Sequence, residues 1–321
     1  MPAGKANSLA MILTITLNPA VDRTYLIRDF AWNRTIRSDK VVPGMGGKGT
    51  DASWVLGELG YNSRALGFAA GGTGRMMEKM LRKRGCQTDF VWVEGETRTN
   101  IVIIGEEGQG QTTLTEPGLQ IDAGALKEFR RKFGAALKKA SCVVIGGTVP
   151  PGVEASIYTE LIKSAGEAGL PVIFDASGPG LKAGMEGRPT VAKPNIDEIA
   201  ELYGSPVDTV EQAYKAGREM QNKYGTELVI TLGKEGALAV LHDRAYRIPV
   251  LKIPVASAAG AGDSVLAGLA AAISEGRPIE DGLRLGFAAA AAVCLNHATA
   301  DCRRADVERL LPQVELIEYR S

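Results

Sequence analysis

The chain reads as an α/β protein: a mostly parallel sheet with helices on both faces, plus a small β-sheet appendage. Three observations carry that expectation. From Ala123 onward, segments of helical period alternate with short apolar strand-like runs, the pattern of a parallel sheet covered on both sides. Between Phe90 and Thr115, strand-like runs follow one another with no helix between them, the mark of a β appendage. Clusters of glycine and polar residues stand where strands end, and in open α/β sheets ligands bind outside the carboxyl ends of the strands.

Taken in order, Ile12 to Leu17 is a compact strand, and Asn18-Pro19-Ala20-Val21-Asp22 reads as a turn. Tyr25 to Val42 alternates irregularly and suggests twisted strands outside the central sheet. After a glycine-dense stretch, Ala52, Val55, Leu56 and Leu59 recur at helical spacing and stop at Gly60, a C-terminal cap. Ala65 to Ala69 is a strand. The next helix carries Met76, Met77, Met80 and Leu81, a stripe that reads as core packing, and closes at Gly85. Phe90 to Val93, Asn100 to Ile104 and Thr112 to Thr115 are strands, with a turn at Glu106-Glu107-Gly108. The regular alternation follows: helices at Ala123 to Ala140 and Ala155 to Ala168, strands at Cys142 to Ile145 and Val172 to Asp175. Next come a strand at Thr190 to Ala192, helices at Ile196 to Tyr203 and Val210 to Lys223, and a strand at Leu228 to Leu232. An apolar run from Tyr246 to Val255, interrupted by prolines, leads to Gly260-Ala261-Gly262-Asp263-Ser264, which opens a helix with Val265, Leu266, Leu269 and Ile273 on one face. Ala288 to Ala292 is a tightly packed helical run.

Bulk properties narrow the function. In 321 residues, lysine plus arginine equals aspartate plus glutamate at 37 each, which argues against a broad nucleic-acid footprint. Four scattered cysteines lack metal-ligand spacing and read as reduced intracellular thiols, so a cytoplasmic location is expected. Two histidines do not suggest a histidine-rich metal centre. No apolar run reaches membrane-spanning length. Residues 1–10 read as a disordered leader or tag that precedes the first strand.

The first amides of the helix after Gly260 have no intrahelical partners and make an anion site. Asp263 at its mouth can cap the helix or face a substrate as a base. Gly46-Gly47-Lys48-Gly49-Thr50 superficially looks like a P-loop, but Gly49 stands where that loop needs Ser or Thr. The ordered set is more specific. It runs through Asn18 to Asp22, Gly46 to Gly49, Thr97-Arg98-Thr99-Asn100, Gly146 to Gly152 and Asp175 to Gly178. Lys193-Pro194-Asn195-Ile196-Asp197-Glu198, Thr231 to Ala237 and Gly260 to Ser264 complete it. In that order these motifs resemble the PfkB/ribokinase family of carbohydrate kinases, nearest the 1-phosphofructokinase and tagatose-6-phosphate kinase branch.

The resemblance implies one doubly wound, ribokinase-like kinase domain over residues 11–321, with a β-lid formed by about 24–42 and 90–115 and a homodimer formed through that lid. It implies ATP-dependent phosphoryl transfer to a hydroxyl of a sugar or sugar phosphate, with ATP and Mg²⁺ as cofactors. Asp263 matches the catalytic base, and the Gly260, Ala261, Gly262 and Asp263 backbone the anion hole. Asn195 and Glu198 match the pair that organises Mg²⁺ through water; their plainer reading is a polar helix start. Lys193, Thr231, Gly233 and Gly236 would bind the nucleotide, with Asn296, Ala289 and Val293 near the adenine. Asp22, Gly47, Lys48 and Asp51 would face the sugar. Arg98 matches an arginine used on the substrate's existing phosphate, against the plainer reading of an exposed strand arginine. Asp175 reads equally as a strand-end cap or a catalytic group.

The sequence departs from the family pattern mainly around the sugar. Asp51 stands where Gly-Gly-Lys-Gly-x-Asn has asparagine, and an ionised aspartate only accepts hydrogen bonds and repels phosphate. Gly146-Gly147-Thr148-Val149-Pro150-Pro151-Gly152 replaces Ser-Gly-Ser-Leu-Pro-Pro-Gly, and Thr50-Asp51-Ala52-Ser53 replaces an apolar run. Val255-Ala256 carries no acidic residue of the kind some members place before the glycines. Fructose 1-phosphate is the first candidate acceptor and tagatose 6-phosphate the second. The alternatives are a kinase of an unphosphorylated sugar, sugar acid or nucleoside, suggested by Asp51, and a catalytically inactive sugar sensor. A nicotinamide dehydrogenase is disfavoured, because the early strand, Gly-x-Gly-x-x-Gly and acidic residue are missing.

Overall fold

The computed structural model describes residues 11–28, 30–105 and 110–320. The expected leader at 1–10 and the turn expected at 106–108 lie outside the described residues. In chain order the first elements are β1 (Met11–Thr16), β2 (Ala20–Leu26), β3 (Lys40–Gly46), α1 (Lys48–Glu58), β4 (Ser63–Ala69) and α2 (Gly71–Lys83). Then come β5 (Gln87–Thr88), β6 (Val91–Trp92), β7 (Arg98–Ile104), β8 (Gln111–Leu114), α3 (Ala123–Leu137), β9 (Ala140–Gly146) and α4 (Ile157–Glu167). The chain continues through β10 (Val172–Asp175), α5 (Gly178–Met185), β11 (Val191–Ala192), α6 (Ile196–Tyr203), α7 (Val210–Tyr224) and β12 (Glu227–Thr231). It closes with β13 (Ala237–Val240), β14 (Ala245–Ile248), α8 (Ala261–Ser274), α9 (Ile279–Cys294), α10 (Arg304–Leu310) and β15 (Ile317–Glu318).

The main sheet runs β15-β14-β13-β12-β11-β10-β9-β1-β4-β5, with β6 also paired to β4. Pairing is parallel from β12 across to β5 and antiparallel from β12 out to β15. Side chains alternate between two cores, as the period of a strand requires. Leu13, Ile15, Val143 and Ile145 face the layer of α3 to α7. Ile12, Cys142 and Val144 face α1, α8, α9 and α10. The alanine run of α9 serves this second layer. A Cβ on Gly268 of α8 would stand 2.2 Å from the Gly286 amide nitrogen of α9, so the two helices approach as closely as bare backbone permits. Met77 is wholly buried with Leu81 and Phe90, and Met76 and Met80 pack against them, so the methionine stripe is core.

From β1 the chain goes to β4 on one side and to β9 on the other. The carboxyl ends of β1 and β9 therefore flank the crevice where a doubly wound sheet binds its ligand. A second sheet, β3-β2-β7-β8, stands over this edge. Its β2 runs antiparallel to β3 and parallel to β7. Asp22, Thr24, Asn100 and Val102 are buried on its inner side, while Arg23, Val41, Ile101 and Leu114 are exposed.

Four expectations are corrected. The turn expected over Asn18 to Asp22 ends at Pro19, because Ala20 to Asp22 already pair with Gly44 to Gly46 and with Arg98 to Asn100. Of the lid segment 24–42, only its two ends are strand, and no strand is assigned among the described residues of 27–39. The strand expected at Phe90 to Val93 does not join the lid: Val91 and Trp92 pair with Phe68 and Ala69 of the main sheet. The apolar run after Tyr246 stops being strand at Ile248, because Pro249 and Pro254 carry no amide hydrogen for a ladder.

Candidate active site

Three charged residues from separate motifs meet at the crevice. Asp175, the last residue of β10, is wholly buried. Its Oδ1 lies 2.8 Å from Lys48 Nζ and its Oδ2 2.8 Å from Lys193 Nζ. Burial alone would push this carboxyl up, but the two ammonium groups outweigh it and hold it below the ordinary aspartate value. Conversely, burial alone would lower Lys48, but Asp175, Asp263 and Glu198 outweigh it and hold the ammonium above its usual range. Lys48 begins α1 and Lys193 follows β11, so one carboxylate ties together the two ends of the crevice.

Asp263 sits in the first turn of α8, with Oδ1 4.0 Å from Lys48 Nζ. The helix starts at Gly260, which has φ 76°; a Cβ there would stand 2.5 Å from the Ala300 amide nitrogen. Only glycine combines that left-handed backbone with that approach. Gly262 differs. Its nearest neighbour for a Cβ is Lys193 Nζ, at an ordinary 3.5 Å, so the fold itself has room for a side chain. What a methyl would occupy there is the space in front of the helix N-terminus. The Ala261 amide donates to the Ala258 carbonyl at 3.3 Å, and the Gly262 and Asp263 amides have no partner among the described residues. For the expected anion hole this leaves two free amides, with Ala261 partly engaged in the turn. Asp263 does not cap this helix, since no side-chain cap bond is present.

Asn195 and Glu198 form a capping box on α6: Asn195 Oδ1 accepts from the Glu198 amide and Glu198 Oε2 from the Asn195 amide, both at 2.8 Å. The polar helix start is therefore real. It consumes one oxygen of each side chain and leaves Asn195 Nδ2 and Glu198 Oε1 without a partner among the described residues. Burial, aided by the charge of Asp175, raises the Glu198 carboxyl. Thr231 ends β12 and its amide donates to the Pro194 carbonyl, placing it beside this box. Gly233 opens the single-turn 3-10 helix that follows, with open space around it, and Gly236 closes it. Asn296 follows α9 and donates to the Ala292 carbonyl. Ala289 and Val293, expected near an adenine, are wholly buried in the apolar core between α9 and the sheet.

At the other end, Asp22 is buried under the lid, where its Oδ1 accepts from Asn100 Nδ2 at 2.8 Å. Burial raises its carboxyl to about 6, against the lowering effects of Thr299, Asn100 and Arg98. Gly47, with φ 100°, is the N-cap of α1, and its carbonyl accepts from the Thr50 hydroxyl and the Asp51 amide. Asp51, in the first turn of α1, is 3 % exposed, and burial, then the charges of the neighbouring Asp263 and Asp22, raise its carboxyl. Arg98 is half-buried, not an exposed strand arginine. Its fork donates to the Glu116 and Asn18 carbonyls, both at 2.9 Å, so it braces the base of the lid before it meets any ligand. Asp22, Asp51, Asp175, Glu198 and Asp263 thus share three cations, Lys48, Lys193 and Arg98.

The sequence pattern described as pfkB family carbohydrate kinase matches residues 13–306, nearly the whole chain. The chain belongs to the pfkB family of carbohydrate kinases. It is 31 % identical over 307 residues to the 1-phosphofructokinase of Bacillus subtilis, covering 95 % of this chain and 99 % of the relative. It is also 31 % identical over 311 residues to the tagatose-6-phosphate kinase of Staphylococcus epidermidis, covering 96 % and 100 %. Among solved structures, a possible 1-phosphofructokinase from Thermotoga maritima superposes with a TM-score of 0.87 at 31 % identity, covering 97 % and 100 %. Escherichia coli phosphofructokinase-2 in complex with substrates and products gives 0.87 at 26 %, covering 95 % and 99 %.

As a carbohydrate kinase of this family, the protein is an enzyme that uses ATP. The site fits that cosubstrate on two observations: the space before Gly262 that a Cβ would fill, and the buried Lys193 ammonium beside it. Among the described residues no group of three carboxylate, histidine or cysteine side chains could hold a metal ion by itself. Two features of the site escaped the sequence reading. Asp175 bridges both lysines, a role distinct from the strand-end cap or catalytic group between which its motif left it. Asn100 holds Asp22, and Thr299, which lowers the Asp22 carboxyl, lies outside every motif. Gln111 of the lid also accepts from Ser257 Oγ at 3.0 Å, tying β8 to the segment that leads into Gly260.

Proposed function

We propose that this kinase phosphorylates a primary hydroxyl of a ketohexose phosphate, fructose 1-phosphate first and tagatose 6-phosphate second, with Asp263 as the general base. The observation that carries the reading is Asp263 itself: a carboxylate 4.0 Å from Lys48, on the turn that presents two free amides and an unfilled glycine. In that place it can accept the acceptor's hydroxyl proton while the Gly262 and Asp263 amides receive charge on the transferring phosphoryl group. Lys193 and Lys48, fixed by Asp175, neutralise phosphate charge on either side. Mg²⁺ carried on the nucleotide phosphates would be held through water by Glu198 Oε1, with Asn195 beside it, and would offset their charge; hard oxygen donors suit that ion. The likeness to a 1-phosphofructokinase and a tagatose-6-phosphate kinase supports this choice of acceptor. The exposed apolar residues Val41, Ile101 and Leu114 on the outer lid support a homodimer through that sheet. No helix among the described residues is long and apolar enough to cross a membrane; that and the four unpaired cysteines support the cytoplasm as its place of work.

A second reading, an unphosphorylated acceptor, is favoured if Asp51 is ionised, since a carboxylate there would repel a substrate phosphate. ADP release measured with ATP and Mg²⁺ against fructose 1-phosphate, tagatose 6-phosphate and the free sugars separates the two. The proposal expects at least tenfold higher kcat/KM for one of the phosphates. Preference for a free sugar supports the second reading, and no turnover on any of them supports an inactive sensor.

A further inference from the structure

We propose that Asp51 works as a neutral carboxylic acid that donates a hydrogen bond to Asp263, so that it positions the base and presents an uncharged face to a phosphorylated acceptor. The inference rests on the reading of Asp263 as base. Three observations carry it. Asp51 is 3 % exposed, so water does not solvate a charge there. The groups facing it are Asp263 from α8, Asp22 from β2 and Lys48 from its own helix. That gives two carboxylates against one ammonium already 2.8 Å from Asp175. Finally, Asp51 Oδ1 has no hydrogen-bond partner among the described residues.

A third negative charge buried in this position would be uncompensated. Two carboxyl groups in contact resolve that by sharing one proton, which leaves one of them neutral. The proton belongs on Asp51 because it is the more deeply buried of the pair: Asp263 keeps 16 % of its side chain exposed and stands beside Lys48. Burial, then the charges of Asp263 and Asp22, raise the Asp51 carboxyl well above the ordinary value, with Lys48 opposing. In its neutral form the group has one donor and a free acceptor oxygen, the hydrogen-bonding pattern of half an asparagine amide. The donor fixes Asp263, and the other oxygen of the group remains an acceptor. The aspartate therefore does the work of the asparagine in the related motif without repelling a sugar phosphate.

The sign of the pH effect follows. The neutral form is present below the titration of Asp51 in the fold and disappears as pH rises through it. Wild-type kcat/KM for the preferred acceptor should therefore fall on the alkaline side. Asp51→Asn cannot ionise and should lose that alkaline limb, so that its profile crosses the wild-type one. Asp51→Ala, which loses donor and acceptor together, should run about tenfold or more below Asp51→Asn. An alkaline limb of the same position in Asp51→Asn, or equal rates for the Asn and Ala variants, would overturn the proposal. Infrared spectra of the protein without ligands, at about pH 8 where Asp22 is ionised, give a readout free of activity. A protonated-carboxyl stretch should be present in wild type and absent from Asp51→Asn. Its absence from wild type also overturns the proposal. If no sugar phosphate is turned over but that band is present, the acceptor reading fails while the neutral Asp51 stands.

Discussion

The two ends of the cleft are built from different materials. At the end proposed for the nucleotide, what faces a ligand is largely backbone: the free Gly262 and Asp263 amides, the space before Gly262, and a capping box that uses its side chains on its own helix. At the end proposed for the acceptor it is side chains: Asp22 held by Asn100, Asp51 beside Asp263, and Arg98 braced on two carbonyls. A triphosphate presents the same oxygens to every kinase, and fixed amides meet them without reorganisation. Acceptors differ in the direction of their hydroxyls and in charge, which side chains can match by substitution. The departures from the family pattern cluster at Asp51 and at Gly146 to Gly152, consistent with this division.

Asp175 joins the two ends, so its loss should do the most damage. Asp175→Asn removes the charge between Lys48 and Lys193 in a wholly buried setting, and breaking such a pair costs about 3–5 kcal/mol. A thermal-melt loss of that size together with near-complete loss of turnover is expected; an unchanged melting temperature would contradict the bridging role. Gly262→Ala tests the nucleotide end alone. The fold has room for the methyl and alanine favours helix, so stability should equal or exceed that of wild type. Turnover should nonetheless fall about a hundredfold through ATP, the scale of one lost anion-hole donor. A stable variant with normal kcat/KM for ATP would break the distinction between the ends.

The smallest effect lies under the lid. Asp22 should be ionised to accept sugar hydroxyls, and burial raises its carboxyl to about 6. Its folded value exceeds the unfolded one, so its contribution to stability is present below about pH 4 and lost as pH rises through about 6. Function runs the other way: KM for the acceptor should rise several-fold as pH drops through about 6 while KM for ATP stays level. Asp22→Asn should remove that acid limb. An equal acid effect on both substrates would place the titrating group elsewhere.

How much of this was legible depended on whether a residue's neighbours in space were also its neighbours in sequence. The alternation of helices and strands after Ala123, the glycines before α8 and the α6 capping box are local patterns, and each could be read directly. The lid was read less well. Phe90 to Val93 has the alternation of any short strand, and nothing local distinguishes pairing with β4 from pairing with β7. Ala20 to Asp22 became strand because two partners flank it. Asp175 could not be weighed from the sequence, since its two lysines come from residues far from it along the chain. Asp51 was visible as a departure, but its meaning depends on the burial and the carboxylates around it.

The central claim is that Asp263 takes the acceptor's proton while the amides beside it hold phosphate. Single-turnover phosphoryl transfer by Asp263→Asn, measured alongside ATP affinity, tests it most directly. The account predicts a rate lower by about 10²–10⁴-fold, the usual contribution of a positioned base, with ATP binding within about threefold of wild type. Near-normal transfer by that variant, or a loss explained by failure to bind ATP, would contradict it.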